Sequence, residues 1–313
     1  MGFPMPELLD IGERAIISRL MGRLDPDGIR MLGDDCAILE MGDYYLLLTT
    51  DMITRATHMP EGAKPQDIGW YAAAINLSDI AAMGGEPLGM LFALGLPIDT
   101  ASEWLDALYS GIQECCDQYN APILGGDTKE NSNLTISGVA VGRVPKGHIL
   151  RRSGAKPGDI LAMTGSLGRG LLWERNKSDA EKLLRVEPRV EQGITLARSG
   201  AVSSCIDISD GLSTCLHLMS KASQIGFEVE ESVLPMVPGL DAEEKELAIH
   251  WGGDFELLFT VRPEMADKLF SSMPGITRIG RVTSDISVTI ENNGTSQPLE
   301  DLGYEHFGEE GKA

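Results

Sequence analysis

Six aspartates carry the chemistry open to this chain: Asp35, Asp51, Asp79, Asp127, Asp207 and Asp210. General acid–base catalysis needs one or two groups with separated pKa values, and six carboxylates exceed that need. Several Mg²⁺ ions would use them, because these hard cations take oxygen ligands supplemented by water and phosphate oxygens. Competing chemistries lack their residues. The five histidines form no H-E-x-x-H pair and the five cysteines show no paired ligand spacing, so no zinc centre is expected. There is no G-x-S-x-G elbow and no G-x-x-x-x-G-K-[ST] loop, and the glycine-rich turn at 165–170 is not a dinucleotide fingerprint.

The elements that must position these acids follow from local pattern. Residues 69–87 form the centre: Pro65 and Asp67 open a helix, Gly84-Gly85 and Pro87 close it, and the residues between are apolar on almost every face. Such a helix is buried, and a buried carboxylate costs several kcal/mol unless a cation or hydrogen bonds compensate it. Asp79 is that carboxylate, with Asn76 expected to support it. Asp35 precedes a short apolar strand, and Asp51 ends the buried strand 44–51 after Thr49-Thr50. Asp127 follows Gly125-Gly126 after a strand that begins at Pro122; paired glycines let backbone N–H groups approach a phosphate, though a turn explains them equally. Asp207 and Ser209 share one side of a strand, and Asp210-Gly211 turns into a helix, where Asp210 would also serve as an N-cap. Amphipathic helices are expected at 7–22 and 102–119, and a strand at 134–144.

At 313 residues the chain has room for two domains, and the Gly/Pro-rich loop at 145–158 marks their boundary, giving 1–148 and 149–313. Arg151, Arg152 and Lys156 cluster in that loop, as an anion site or as a solvated linker. A net charge of −21 argues against a nucleic-acid partner. No apolar run reaches membrane-spanning length and no signal peptide is evident, so no membrane partner and a cytoplasmic location are expected. Acid-rich sites, Gly-Gly-Asp and a basic loop together point to phosphoryl transfer from a nucleotide.

The motifs Gly-Asp-Asp-Cys-Ala (33–37), Thr-Thr-Asp-Met (49–52), Asn-Leu-Ser-Asp-Ile-Ala-Ala-Met-Gly (76–84) and Gly-Gly-Asp-Thr (125–128) resemble the thiamine-monophosphate kinase family. Arg-Ser-Gly-Ala-Lys-Pro-Gly-Asp (152–159), Asp-Ile-Ser-Asp-Gly-Leu (207–212) and Gly-Gly-Asp-Phe-Glu-Leu-Leu-Phe (252–259) extend the resemblance over nearly the whole chain. It implies an α/β (α+β) fold of two domains: an N-terminal mixed sheet with helices that pairs across a homodimer, and a sandwich-like α/β domain. It also implies ATP-dependent, Mg²⁺-dependent phosphorylation of thiamine phosphate to thiamine diphosphate, with several ions.

Carried over by motif, Asp35, Thr49 (through its backbone), Thr50, Asp51, Asp79, Asp127, Asp207 and Asp210 are the expected Mg²⁺ ligands. Tyr109, Gly126, Asp127, Arg152 and Ser209 are the expected ATP contacts, and His58 and Tyr304 meet the thiamine phosphate. The family carries Glu where this chain has Gly253, so Gly253 and Asp254 mark a substrate contact in altered form. The alternatives are a ring-closing synthetase of purine synthesis from the same superfamily, or a non-catalytic nucleotide-binding regulator.

Overall fold

The computed structural model describes residues 11–24, 33–176 and 180–307. The first helix, α1 (Glu13–Leu24), covers the C-terminal part of the expected 7–22 helix, whose residues 7–10 lie outside the described set. A five-stranded sheet follows, built from β1 (Ala37–Met41), β2 (Tyr44–Thr54), β3 (Glu86–Leu96), β4 (Ile123–Glu130) and β5 (Thr135–Pro145) in the order β1-β2-β5-β3-β4. Only β3 and β4 run parallel, so the sheet is mixed. A short helix, α2 (Arg55–His58), continues β2.

The expected buried helix is α3 (Pro65–Ala82), and 15 of its 18 residues are buried. Its alanines let neighbours approach, and the neighbours supply glycines in return. A Cβ on Gly111 of α4 (Ser102–Gln118) would stand 1.8 Å from the Gln66 carbonyl oxygen, and one on Gly193 would stand 2.1 Å from that of Ala81. Gly193 belongs to α7 (Val190–Ser199) of the C-terminal half, reached through α5 (Arg169–Asn176) and α6 (Ala180–Leu184). Thus α3 is the shared spine of both halves, and one apolar core runs through it from Leu47 to Phe259. Polar contacts fix the same junction. Trp70 Nε1 donates to the Val186 carbonyl at 2.6 Å, and Arg185 reaches Asp67 at 2.7 Å and Glu114 at 2.9 Å, with its guanidinium 4.9 Å from the Trp70 ring centre.

The second sheet comprises β6 (Ile160–Thr164), β7 (Val202–Asp207), β8 (Gly226–Glu230), β9 (Leu257–Val261), β10 (Ile276–Thr283), β11 (Val288–Asn292) and β12 (Thr295–Pro298), ordered β12-β11-β8-β10-β6-β9-β7. The helices α8 (Leu212–Ser223), α9 (Ala242–His250) and α10 (Pro263–Ser272) complete this half, and a second core lies between α8 and the sheet. The two sheets fall on either side of the 145–158 loop. Among the described residues no helix is long and apolar enough to cross a membrane.

One expected element differs. The Gly125-Gly126-Asp127 run is not a turn beyond a strand; it lies inside β4, paired to β3. A Cβ on Gly126 would stand 2.0 Å from the Phe92 carbonyl oxygen, so this glycine is required by strand packing.

Candidate active site

Asp79 enters the site from the spine helix, Asp35 from the loop before β1, and Asp207 from the last residue of β7. One carboxylate oxygen from each lies within 4.8 Å of the others. Two unit charges about 4 Å apart repel by about 4 kcal/mol at an effective dielectric of about 20. The cluster relieves this by binding protons or a cation. Burial, reinforced by Asp51, Asp207 and Asp35, raises the Asp79 carboxyl well above the ordinary range. Burial and then Asp35 push Asp207 up to about 8. Asp51, at the edge of the group, is pushed up to about 6 by burial and then by Asp210.

Hydrogen bonds aim these groups. Thr49 Oγ1 donates to Asp79 Oδ2, and Ser78 Oγ donates to Asp207 Oδ2 at 2.6 Å. Arg152 binds Asp35 Oδ1 through Nε at 3.2 Å and Nη2 at 2.7 Å, leaving Asp35 Oδ2 sealed from solvent with no hydrogen-bond partner among the described residues. An orphaned oxygen on a carboxylate grouped with two others is a donor set suited to a hard cation, so Mg²⁺ fits these residues.

Sequence reasoning needs correction at several residues. Asn76 does not support Asp79: its Oδ1 accepts from the Asp51 amide at 3.0 Å and its Nδ2 donates to the Ala72 carbonyl at 3.0 Å, so it fixes the end of β2. Asp79 is supported instead by the Thr49 hydroxyl. Asp210 is not an N-cap; Gly211 occupies that position, without a side-chain cap bond. Arg151 and Arg152 are not a free anion site, since Asp34 takes Arg151 Nη1 at 3.3 Å and the Arg152 amide at 2.8 Å, and Asp35 takes the Arg152 guanidinium.

Thr50 and Asp127 do not join the cluster within one chain. Asp127, Ala93, Ser137 and Met52 are directly opposed across β4, β3, β5 and β2, about 14 Å at three strand spacings. Alternation along the pleat puts that row, and Thr50, on the face away from α3, whereas Thr49 and Asp51 face α3. Thr50 Oγ1 donates to the Gly138 carbonyl at 2.8 Å, and Asp127 pairs with Lys129 at 3.4 Å. Tyr109 is exposed on α4. Ser209 is half-buried beside Asp210, and its carbonyl accepts from the Gly253 amide at 2.8 Å.

His58 and Tyr304 are brought together, with His306 between them. The His58 and His306 rings lie 5.5 Å apart, and the Tyr304 and His306 rings are perpendicular at 4.9 Å. Burial and then His306 lower the His58 imidazole to about 4, so it is neutral. Asp254 does not face this group: its oxygens accept from the Gly168 amide at 3.1 Å and the Arg169 amide at 2.8 Å, which fastens the glycine turn before α5. Gly253 has φ +92°, and a Cβ there would have room.

The sequence reading missed Ser78, whose hydroxyl interrupts an otherwise apolar run just before Asp79. It also missed Arg14 of α1, which donates to Thr214 Oγ1 at 3.0 Å and pairs with Asp301 at 2.8 Å, tying α1 to the segment that carries Tyr304. Nothing in local pattern signals that contact, which spans most of the chain.

Residues 33–144 match the family described as AIR synthase related protein, N-terminal domain, and residues 156–291 match its C-terminal domain. A thiamine-monophosphate kinase from Methanospirillum hungatei is 40% identical over 275 residues, covering 87% of this chain and 92% of the relative. The chain belongs to the thiamine-monophosphate kinase family. Another kinase of that name, from Escherichia coli, is 34% identical over 95% of this chain and 98% of its own. The solved structure of AaThiL complexed with AMPPCP and TMP superposes with a TM-score of 0.84 at 27% identity, covering 97% of this chain and all of that one. Family members are kinases, and this chain shares the fold over 97% of its length.

Proposed function

We propose that this chain transfers the γ-phosphoryl group of ATP to thiamine phosphate, giving thiamine diphosphate and ADP. The observation that carries the reading is the carboxylate triad of Asp35, Asp79 and Asp207, with its unsatisfied Asp35 oxygen, in a chain 40% identical to a thiamine-monophosphate kinase. Asp35, Asp79 and Asp207 would hold Mg²⁺, with Asp51 and Asp210 at the edge of the same group. When bound, Mg²⁺ supplies neutralisation of charge between two anionic reactants. The chain's own part is positioning. Ser78 and Thr49 orient two of the ligands, and Arg152 is placed to balance the charge of Asp35 or of a nucleotide phosphate.

Thr50 and Asp127, by this reading, act from the open face of the first sheet. Leu39, Met41, Met52 and Leu91 are exposed on that face, an apolar surface suited to a second copy of the chain. A homodimer formed there would place the Thr50 and Asp127 row at the subunit interface. The relatives named above favour the kinase over a purine-synthesis synthetase or a regulator, since both carry the kinase name. Incubation with ATP, Mg²⁺ and thiamine phosphate tests the reading: formation of thiamine diphosphate supports it, and ATP binding without phosphorylation of the acceptor contradicts it.

A further inference from the structure

Tyr71 is a polar residue that the site as described does not use. It lies on α3 eight residues before Asp79, on the same helix face and about 12 Å nearer the N-terminus. The residue is 8% exposed, yet its phenol makes no hydrogen bond with any described residue. Its oxygen is also not among the sealed, unpartnered atoms, so its small exposed remnant includes the hydroxyl. A phenol oxygen normally finds a partner when its ring is buried, because desolvating it without one is unfavourable.

Phe255, a member of the same buried core, holds the ring. Phe255 meets it edge-on, with centroids 5.8 Å apart and planes at 82°. Phe255 has φ +53°, a left-handed backbone that a bulky residue rarely adopts. Hydrogen bonds at three successive residues lock it there. The Phe255 amide donates to the Ile208 carbonyl at 2.8 Å, Asp254 fastens the preceding residue to the 168–169 turn, and Arg189 grips Glu256 at 2.6 and 2.7 Å. Strain of this kind persists where the surroundings over-determine it, and such sites cluster at ligand clamps.

The surroundings identify what the hydroxyl would meet. Burial, reinforced by Asp51 and Asp210 and opposed by Arg169, keeps the phenol protonated well beyond neutral pH, so it is a donor. Phe255, bonded through its amide to Ile208, sets the ring beside the end of β7 that carries Asp207 and leads to Asp210. We propose that the Tyr71 hydroxyl donates a hydrogen bond to the phosphate of the acceptor, with Phe255 bracing the ring, making Tyr71 an acceptor-positioning residue of the spine helix. This rests on the kinase reading. The acceptor must be a phosphate ester, and the carboxylates at Asp51 and Asp210 would bring the cations that draw that phosphate beside the phenol.

The test is Tyr71→Phe, assayed beside the wild-type protein with ATP and Mg²⁺. Loss of one hydrogen bond to a charged group is expected to raise KM for thiamine phosphate by about tenfold or more, with KM for ATP unchanged. Inhibition by thiamine, which lacks the phosphate, is expected to keep its Ki. A purely structural role predicts the opposite sign in stability: removing an unpartnered hydroxyl leaves the Tm unchanged or higher, whereas breaking a structural bond lowers it. Unchanged KM for thiamine phosphate, a parallel rise in Ki for thiamine, or a lowered Tm overturns the proposal while leaving the kinase reading intact. A wild-type protein that makes no thiamine diphosphate overturns both.

Discussion

Ser78 on the spine helix donates a 2.6 Å hydrogen bond to Asp207, at the end of a strand in the other half of the chain. Both residues are buried, at 0% and 3% exposure, so the bond is shielded from water and joins the two halves at the carboxylate group itself. Ser78→Ala would leave Asp207 with one fewer donor. Hydroxyls and amides that orient metal ligands typically matter by 10- to 100-fold in affinity or activity. Titrating Mg²⁺ against turnover should show the half-saturating concentration rising about tenfold, with little change in the far-UV circular dichroism. An unchanged Mg²⁺ requirement would remove Ser78 from the site.

Asp79→Asn removes the central carboxylate while nearly keeping its shape. Turnover is expected to fall by about three orders of magnitude, as for loss of a group that stabilises transition-state charge. The metal-free protein should meanwhile melt higher than the wild type, because Asp35, Asp51 and Asp207 lose a repulsive neighbour. Calorimetry and initial rates measured on one preparation check both signs. Near-normal turnover from a folded variant would sink the metal assignment.

Stability should depend on pH in an unusual direction. Asp51, Asp207 and Asp254 are pushed up to about 6, 8 and 7 by burial, above the ordinary carboxylate value. Between the unfolded and folded pKa values the native state therefore binds more protons than the unfolded chain, so stability falls as pH rises through this window. In EDTA the Tm is expected to drop from pH 5.5 to pH 8.5. Mg²⁺ should restore it most at the alkaline end, where protons no longer compete for the ligands. A Tm that climbs over this range in EDTA would contradict the assigned clustering.

The apolar open face gives a fourth expectation. Met52 is 58% exposed, directly across the sheet from Asp127. Met52→Glu should convert a dimer into monomers in sedimentation velocity and reduce turnover with it, because Asp127 would lose the interface proposed for it. A wild-type protein that sediments as a monomer at full activity would refute the dimer.

Much of this molecule was legible in the sequence. The spine helix announced itself by apolar residues on every face between a proline start and a Gly-Gly stop, and α3 runs over Pro65–Ala82 accordingly. The clustering of Asp35, Asp79 and Asp207 followed from one carboxylate inside a buried helix and others beside the starts and ends of strands. What pattern could not deliver was direction. Asn76 and Asp79 share a helix face, but which backbone amide Asn76 caps depends on where β2 ends beside it. Asp127 looks equivalent to Asp51 in sequence, each closing an apolar run. Only the register from β2 through β5 and β3 to β4 shows that they stand on opposite faces. Arg14 was illegible for a simpler reason: its partners Thr214 and Asp301 are about 200 and nearly 290 residues away.

The central claim is that this carboxylate group serves phosphoryl transfer to thiamine phosphate. It is tested most directly by following ³¹P signals while the purified protein is held with ATP, Mg²⁺ and thiamine phosphate. The account predicts that the pyrophosphoryl doublets of thiamine diphosphate grow in step with ADP, stop on adding EDTA, and are absent with Asp79→Asn. ATP consumption that leaves thiamine phosphate untouched, or product formation undiminished in EDTA, would contradict it.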